Sequence, residues 1–134
     1  MNKELIFKPP IVAFDFDLTL AETNFPIILK PKPYAISTIK ELKEAGWRVI
    51  IFTNREGQHL ETVKEWANKW DLEFDAYNDN SALTEGEWRR FNYNDSRKLG
   101  FDYIVDDRSV FWEDSEDVLL KVKHKLLDIY DERE

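Results

Sequence analysis

Ile11-Val12-Ala13-Phe14 is a continuous apolar run that leads directly into Asp15-Phe16-Asp17-Leu18-Thr19. Consecutive apolar residues without polar alternation are typical of a strand buried on both faces of a parallel sheet. Because the aspartates follow the end of this strand, we expect them at the carboxyl edge of the sheet, where ligands bind in open α/β folds. This one segment therefore predicts an α/β fold and locates a candidate site within it.

Three further strand patterns follow along the chain. They are Val49-Ile50-Ile51-Phe52, the weaker alternation of Leu72, Phe74 and Ala76, and Tyr103-Ile104-Val105. Between the first and second strands, three prolines surround a small apolar patch from Ala21 to Pro33. This composition predicts a loop with room for a short hairpin.

Apolar residues at helical spacing separate these strands. The first two predicted helices span 36–45, ending at Gly46, and 60–70. A short third helix runs through Trp88 and Phe91 and begins with a capping box formed by Thr84 and Glu87. Ser115 is predicted to cap the last helix, with Glu116 and Asp117 in its first turn. Strands that alternate with helices predict a mostly parallel sheet covered on both faces by right-handed crossovers. We therefore expect a Rossmann-like three-layer α/β/α sandwich.

The length and composition restrict the class of protein. A chain of 134 residues suits one domain, so 1–134 is predicted to be a single unit. Acidic residues outnumber basic ones by 27 to 19, and a net charge of −8 disfavours general nucleic-acid binding. No apolar run approaches the roughly 20 residues of a membrane span, so no membrane partner is expected. Cysteine is absent, which excludes disulfides and thiolate metal sites and fits the cytoplasmic location that we expect.

Polar residues follow the ends of three predicted strands. Thr53-Asn54-Arg55 follows the second and Asp106-Asp107 the fourth, in addition to Asp15 and Asp17 after the first. Since parallel strands end at the same edge of a sheet, these carboxylates and a hydroxyl are predicted to converge. Carboxylates at close range repel one another unless a cation or a proton intervenes. The oxygen ligands favour Mg²⁺, which keeps several waters that a phosphate can replace.

These motifs, in this order, resemble those of the haloacid dehalogenase (HAD) superfamily of aspartate-nucleophile phosphatases. Asp15-Phe16-Asp17-Leu18-Thr19 stands where the family has DxDxT after an apolar strand, and Thr53 stands at the second motif. Asp106-Asp107 resembles the acidic pair of the fourth motif, and Lys98 is the best candidate for the lysine of the third. The segments between motifs are short and are similar to those of small members without a cap domain.

The resemblance implies a Mg²⁺-dependent phosphomonoester hydrolase, and the chemistry of the residues agrees with it. Asp15 is expected to be the nucleophile that forms an aspartyl-phosphate. Asp17 is expected to protonate the leaving oxygen and then to activate water. Thr53, by a hydrogen bond, and Lys98, by its charge, are expected to stabilise the transferring phosphoryl group.

Separate sets of residues are expected to bind the metal and the substrate. Mg²⁺ is expected to be held by Asp15, Asp106 and the backbone carbonyl of Asp17, with Asp107 acting in an outer shell or through water. The expected substrate-binding residues are Thr53, Asn54 and Arg55. For Arg55 two roles are open, a contact with the substrate phosphate or an ion pair with an acid.

Two other functions are alternatives to hydrolysis. A receiver-like phosphoacceptor domain uses similar residues, but receivers place their acidic pair after the first strand and their phosphate acceptor after a middle strand. A catalytically inactive binding protein is the other alternative, against which the intact DxDxT argues. The expected partner is a small phosphorylated substrate, with phosphorylated nucleic-acid ends as a disfavoured alternative.

Overall fold

A four-stranded parallel sheet forms the centre of the computed structural model, which describes residues 5–91 and 99–132. The elements in these residues are β1 (Ile11–Phe14), β2 (Ala21–Asn24), β3 (Ile27–Pro31), α1 (Ala35–Glu44), β4 (Arg48–Ile51), α2 (Gln58–Lys69), β5 (Ala76–Tyr77), α3 (Glu85–Phe91), β6 (Tyr103–Val105) and α4 (Val118–Glu132). The sheet has the order β5-β4-β1-β6, and each pair of neighbours is parallel. The predicted α/β fold is confirmed.

The register of β1 positions the candidate site. Phe14, the last residue of β1, pairs with Ile51 of β4 on one side and with Val105 of β6 on the other. The chain therefore leaves three neighbouring strands at the same edge, and Asp15 and Asp106 are the first residues beyond their strands. All four residues of β1 are buried, as the continuous apolar run predicts.

Alternate residues of β1 enter two separate apolar clusters. Val12 and Phe14 pack with buried residues of α1, α2 and α4. Ile11 and Ala13 belong to the second cluster, against which Phe91 of α3 packs. Helices thus cover both faces of the sheet, which is the expected three-layer sandwich. None of the helices in the described residues combines the length and apolar character of a membrane-spanning segment.

The proline-rich segment after β1 is an antiparallel hairpin. Strands β2 and β3 pair from Ala21 with Pro31 to Asn24 with Ile27, with a register shift between Glu22 and Thr23. Residues 15–34 are all described and contain no helix, so no cap domain is inserted at this point, as the short segment predicts.

The third predicted strand is shorter than its sequence pattern suggests. Only Ala76 and Tyr77 form β5, and Leu72 and Phe74 lie outside it. The cause is Asp75, whose side-chain Oδ2 accepts a hydrogen bond from the backbone N–H of Val49 at 2.7 Å. A side chain thus takes the position that a backbone carbonyl would occupy if the strand began earlier.

The short third helix begins as predicted. Thr84 Oγ1 accepts a hydrogen bond from the backbone N–H of Glu87 at 3.2 Å, and Glu87 Oε1 accepts one from the backbone N–H of Thr84 at 2.9 Å, which is the reciprocal capping box. Both carboxylate oxygens of Glu87 also lie 2.8 Å from Arg48. The hydrogen bonds from Arg48 lower the pKa of Glu87 to about 2.

The start of the last helix differs from the prediction. Helix α4 begins at Val118, so Glu116 and Asp117 precede it and do not form its first turn. Ser115 Oγ donates to Asp117 Oδ1 at 2.9 Å, so the expected capping hydroxyl contacts a carboxylate. Leu119, Leu126 and Ile129 are buried, as apolar residues at helical spacing predict for the inward face of this helix.

Candidate active site

Three carboxylates converge where β1 and β6 end. Asp15, Asp106 and Asp107 each place a carboxylate oxygen within 4.8 Å of the other two. Thr19 holds two of them together: its Oγ1 lies 2.9 Å from Asp107 Oδ1 and 3.4 Å from Asp15 Oδ2. The same hydroxyl oxygen accepts a hydrogen bond from the backbone N–H of Asp107 at 2.9 Å. The threonine of DxDxT therefore ties the first motif to the acidic pair, a role that we did not predict.

A tight turn after β1 brings Thr19 to this position. The backbone N–H groups of Thr19 and Leu20 both donate to the carbonyl of Phe16, at 3.2 and 2.9 Å. Leu18 has a positive φ of 65°, which reverses the chain within one turn. The turn buries Phe16, Thr19 and Leu20 completely and leaves the two aspartates partly exposed at the cleft.

The cluster is electrostatically strained without a cation. Burial, a hydrogen bond with Asp107 and the negative charge of Asp106 raise the pKa of Asp15 to about 7. A divalent cation among these carboxylates would remove the repulsion and favour the ionised form of Asp15. The donor set fits Mg²⁺, because all three groups supply oxygen ligands. Asp107, expected in an outer shell, belongs to this group by its distances, whereas the carboxylate of Asp17 lies outside it.

Asp17 is instead paired with Arg55. Its two carboxylate oxygens accept hydrogen bonds from Arg55 Nη2 at 2.7 Å and Nε at 2.8 Å, a bidentate ion pair. Of the two roles open for Arg55, the structure shows the pairing with an acid. Burial alone would raise the pKa of Asp17, but the hydrogen bonds from Arg55 and Thr23 and the charge of Arg55 together lower it below its ordinary value.

Arg55 also connects the hairpin to the second helix. Its side chain is 1% exposed, and its Nη1 donates to the carbonyl of Pro26 in the hairpin turn and to Thr62 Oγ1 in α2. Its guanidinium lies between two rings, 5.5 Å from the centroid of Phe16 and 4.9 Å from that of Phe25. One buried cation thus orders the first motif, the hairpin and α2 together.

Replacing Arg55 with methionine is expected to lower the free energy of unfolding by about 3 kcal/mol, because it leaves a partly buried carboxylate without its cation. The value is at the low end for buried pairs since the Asp17 side chain is 26% exposed and regains some hydration. Denaturant unfolding followed by circular dichroism measures the change. Arg108→Met is the matched control, because Arg108 lines the same cleft but is exposed, and its effect should stay within about 0.5 kcal/mol. Equal effects of the two substitutions would contradict this role for Arg55.

Thr53 lies two residues after the end of β4 and is 8% exposed. Its Oγ1 accepts a hydrogen bond from the backbone N–H of Arg55 at 3.2 Å, which leaves its own proton to be donated. Asn78 supports this turn: its Oδ1 accepts from the Thr53 backbone N–H at 2.7 Å, and its Nδ2 donates to the Arg55 carbonyl at 3.2 Å. We did not predict this role for Asn78, which the sequence places in a turn-rich segment far along the chain.

An open cleft of about 470 Å³ brings the predicted residues together. Its lining includes seven of the eight predicted site residues: Asp15, Asp17, Thr53, Asn54, Arg55, Asp106 and Asp107. The eighth, Lys98, lies outside the described residues. The hairpin also contributes Thr23, Asn24 and Phe25 to the lining, three residues that are not among the predicted ones.

Comparisons with known proteins support the fold. A scan of protein families finds no match to this chain, and a search of curated proteins finds none either. Among solved structures, the chain is similar to that of a conserved protein coded by a locus of Bacteroides thetaiotaomicron, with 32% sequence identity and a TM-score of 0.69. The match covers 86% of this chain and 90% of that one. The chain therefore belongs to the same family as this conserved protein.

Proposed function

We propose that this protein is a HAD-type phosphatase, a Mg²⁺-dependent hydrolase of phosphomonoesters that acts through an aspartyl-phosphate on Asp15. The observation that carries the proposal is the convergence, in one open cleft, of Asp15 after β1, Thr53 after β4, and Asp106 and Asp107 after β6. Three strands thereby supply a nucleophile, a hydrogen-bond donor and the carboxylates for a cation.

The first half of the reaction assigns separate roles to the two aspartates of the first motif. Asp15 attacks the phosphorus, a new O–P bond forms, and the bond to the leaving oxygen breaks. Thr53 donates a hydrogen bond to a phosphoryl oxygen. The residues that would hold Mg²⁺ are Asp15, Asp106 and Asp107, together with the backbone carbonyl of Asp17. When bound, Mg²⁺ would offset the charge that otherwise keeps a phosphate away from these carboxylates.

Asp17 acts in both halves, and its ion pair with Arg55 affects them differently. The lowered pKa of Asp17 favours its ionised form, which suits a general base that activates water against the aspartyl-phosphate. The same ionised form is less suited to protonating a leaving oxygen.

Metal dependence tests the proposal. EDTA is expected to abolish turnover of p-nitrophenyl phosphate and added Mg²⁺ to restore it. Mg²⁺ should also raise the melting temperature, on the order of 10 °C at a concentration 100 times its Kd, because it binds the native state.

Two variants separate a site-specific effect from a general effect of charge. Asp106→Asn should lose the Mg²⁺-induced rise in melting temperature, since it removes one ligand of the cluster. Asp128→Asn removes an exposed carboxylate of α4 and should keep the full rise. Turnover that persists undiminished in EDTA would refute the metal assignment, and stabilisation by Mg²⁺ without any turnover would favour a binding or phosphoacceptor function.

A further inference from the structure

Phe25 is an exposed aromatic residue at the edge of the candidate active site. It lies in the turn between β2 and β3, is 59% exposed, and contributes to the lining of the cleft. Other apolar residues of the hairpin, such as Ile27 and Leu29, are exposed as well but do not line this cleft. Single exposed apolar residues are common on protein surfaces. Phe25 is distinguished by its place in the cleft and by the way its ring is held.

A buried cation contacts the ring of Phe25. Arg55 lies 4.9 Å from the ring centroid, and the ring of His59 packs against it at 5.1 Å with an interplanar angle of 60°. Arg55 also donates to the carbonyl of Pro26, the next residue, at 3.1 Å. Because Arg55 is itself 1% exposed and paired with Asp17, the position of the ring is tied to that of the catalytic groups. Phe25 nevertheless remains 59% exposed and lines the cleft, so part of its ring is accessible to a ligand there.

We propose that Phe25 forms a stacking subsite for a planar unsaturated ring in the leaving group of the substrate. The inference rests on the proposed function and adds a substrate class to it: phosphomonoesters that carry an aromatic ring, as aryl-bearing phosphates or nucleoside monophosphates do. The cleft, at about 470 Å³, lies within the usual range for small-ligand sites and exceeds what a phosphoryl group alone requires. Asn24 and Thr23, next to Phe25, add an amide and a hydroxyl to the same wall.

Matched pairs of substrates test the subsite. Benzyl phosphate and cyclohexylmethyl phosphate have the same reacting group, but only the first has a planar ring. Adenosine 5′-monophosphate and ribose 5-phosphate form a second pair, which distinguishes a nucleobase from a simple aryl group as the source of the ring. The wild type should prefer the ring-bearing member of at least one pair by about 2- to 13-fold in kcat/KM, the usual worth of an aromatic contact.

Phe25→Leu keeps an apolar side chain but removes the ring, so the preference should fall to about one. For the ring-bearing substrate, Phe25→Leu should raise KM more than it lowers kcat, because stacking is the same in the ground state and in the transition state. Phe25→Tyr should retain the preference. Ile27→Ala, on the same hairpin but outside the lining, is the control and should leave the preference as in the wild type. A preference that is near one in the wild type, or that survives Phe25→Leu, would overturn the subsite.

Phosphonates keep this test independent of turnover. Benzylphosphonate should bind the Mg²⁺-loaded protein more tightly than cyclohexylmethylphosphonate in calorimetry, and Phe25→Leu should remove the difference. That result without hydrolysis of any phosphate ester would support the subsite while refuting the phosphatase. Turnover with equal binding of both phosphonates and no ring preference in kcat/KM would refute the subsite and leave the phosphatase in place.

Discussion

Asp15→Asn is expected to reduce turnover of p-nitrophenyl phosphate by a factor of about 10⁴ or more, since the loss of a covalent nucleophile removes nearly all of the catalysis that depends on it. The amide has nearly the same shape as the carboxylate, but it has no anionic oxygen to attack phosphorus. Steady-state release of nitrophenolate measures the effect, with Asp128→Asn as a variant that removes an exposed carboxylate and should retain wild-type turnover.

The melting temperature shows whether this variant has merely unfolded. Asp15 is one of three carboxylates within 4.8 Å of one another, and its burial, together with their repulsion, raises its pKa. In EDTA, therefore, Asp15→Asn should be at least as stable as the wild type, because the substitution removes one of the repelling charges. A variant that is stable and keeps more than a tenth of the turnover would disprove the nucleophile assignment.

Asp17→Asn is expected to stop steady-state turnover for a different reason. Asp15 remains able to attack, and nitrophenolate leaves without help from an acid, so the protein should become phosphorylated. Hydrolysis of the aspartyl-phosphate should slow by a factor of about 10²–10⁴, the usual contribution of general acid–base catalysis. A rapid-quench experiment should therefore show a burst of nitrophenolate close to one equivalent, followed by slow release of phosphate.

The ion pair with Arg55 complicates this variant, and a second substitution controls for it. Asparagine can still accept one hydrogen bond from Arg55, but the buried guanidinium loses its counter-charge, which destabilises the fold. The double variant with Arg55→Met removes both charges and should recover part of the stability, since the two residues are in contact. If the single variant shows a burst at a temperature well below its melting point, the slow step is a chemical step and not a result of unfolding. Equal slowing of phosphorylation and dephosphorylation would contradict the role of Asp17 in the second half.

The fold follows from the sequence where local pattern and burial agree. Ile11 to Phe14 form a fully buried strand because an uninterrupted apolar run has no solvent-facing side. The last helix buries Leu119, Leu126 and Ile129 at the predicted spacing. The convergence of Asp15 with Asp106 and Asp107 follows in turn, because the strands before them are neighbours and parallel.

The errors lie where a side chain replaces a backbone partner. Asp75 hydrogen-bonds the backbone of Val49, so the strand pattern from Leu72 to Ala76 yields only a two-residue β5. Ser115 contacts the carboxylate of Asp117, and the last helix begins at Val118, two residues later than its capping signal suggests. The residues at which these elements begin depend on individual side-chain contacts, which hydrophobic periodicity does not predict.

Long-range polar contacts could not be predicted from the sequence either. Arg55 meets Asp17 across 38 positions, and Asn78 meets Thr53 across 25. Both contacts depend on how the hairpin and the strand ends assemble, and the sequence predicts the elements without their side-chain orientations. The only local signal was the position of Arg55 just after Thr53, which left an ion pair and a substrate contact as equal alternatives.

The central claim is that the carboxylate of Asp15 takes the phosphoryl group, and mapping a trapped phosphoryl-enzyme tests it most directly. Asp17→Asn is mixed with p-nitrophenyl phosphate and Mg²⁺, quenched in acid within the burst, digested and analysed by mass spectrometry. The account predicts one phosphorylated residue, Asp15, with no phosphorylation in the matched Asp15→Asn sample or in EDTA. A phosphoryl group on any other residue, or its absence while the wild type turns over the same substrate, would contradict the account.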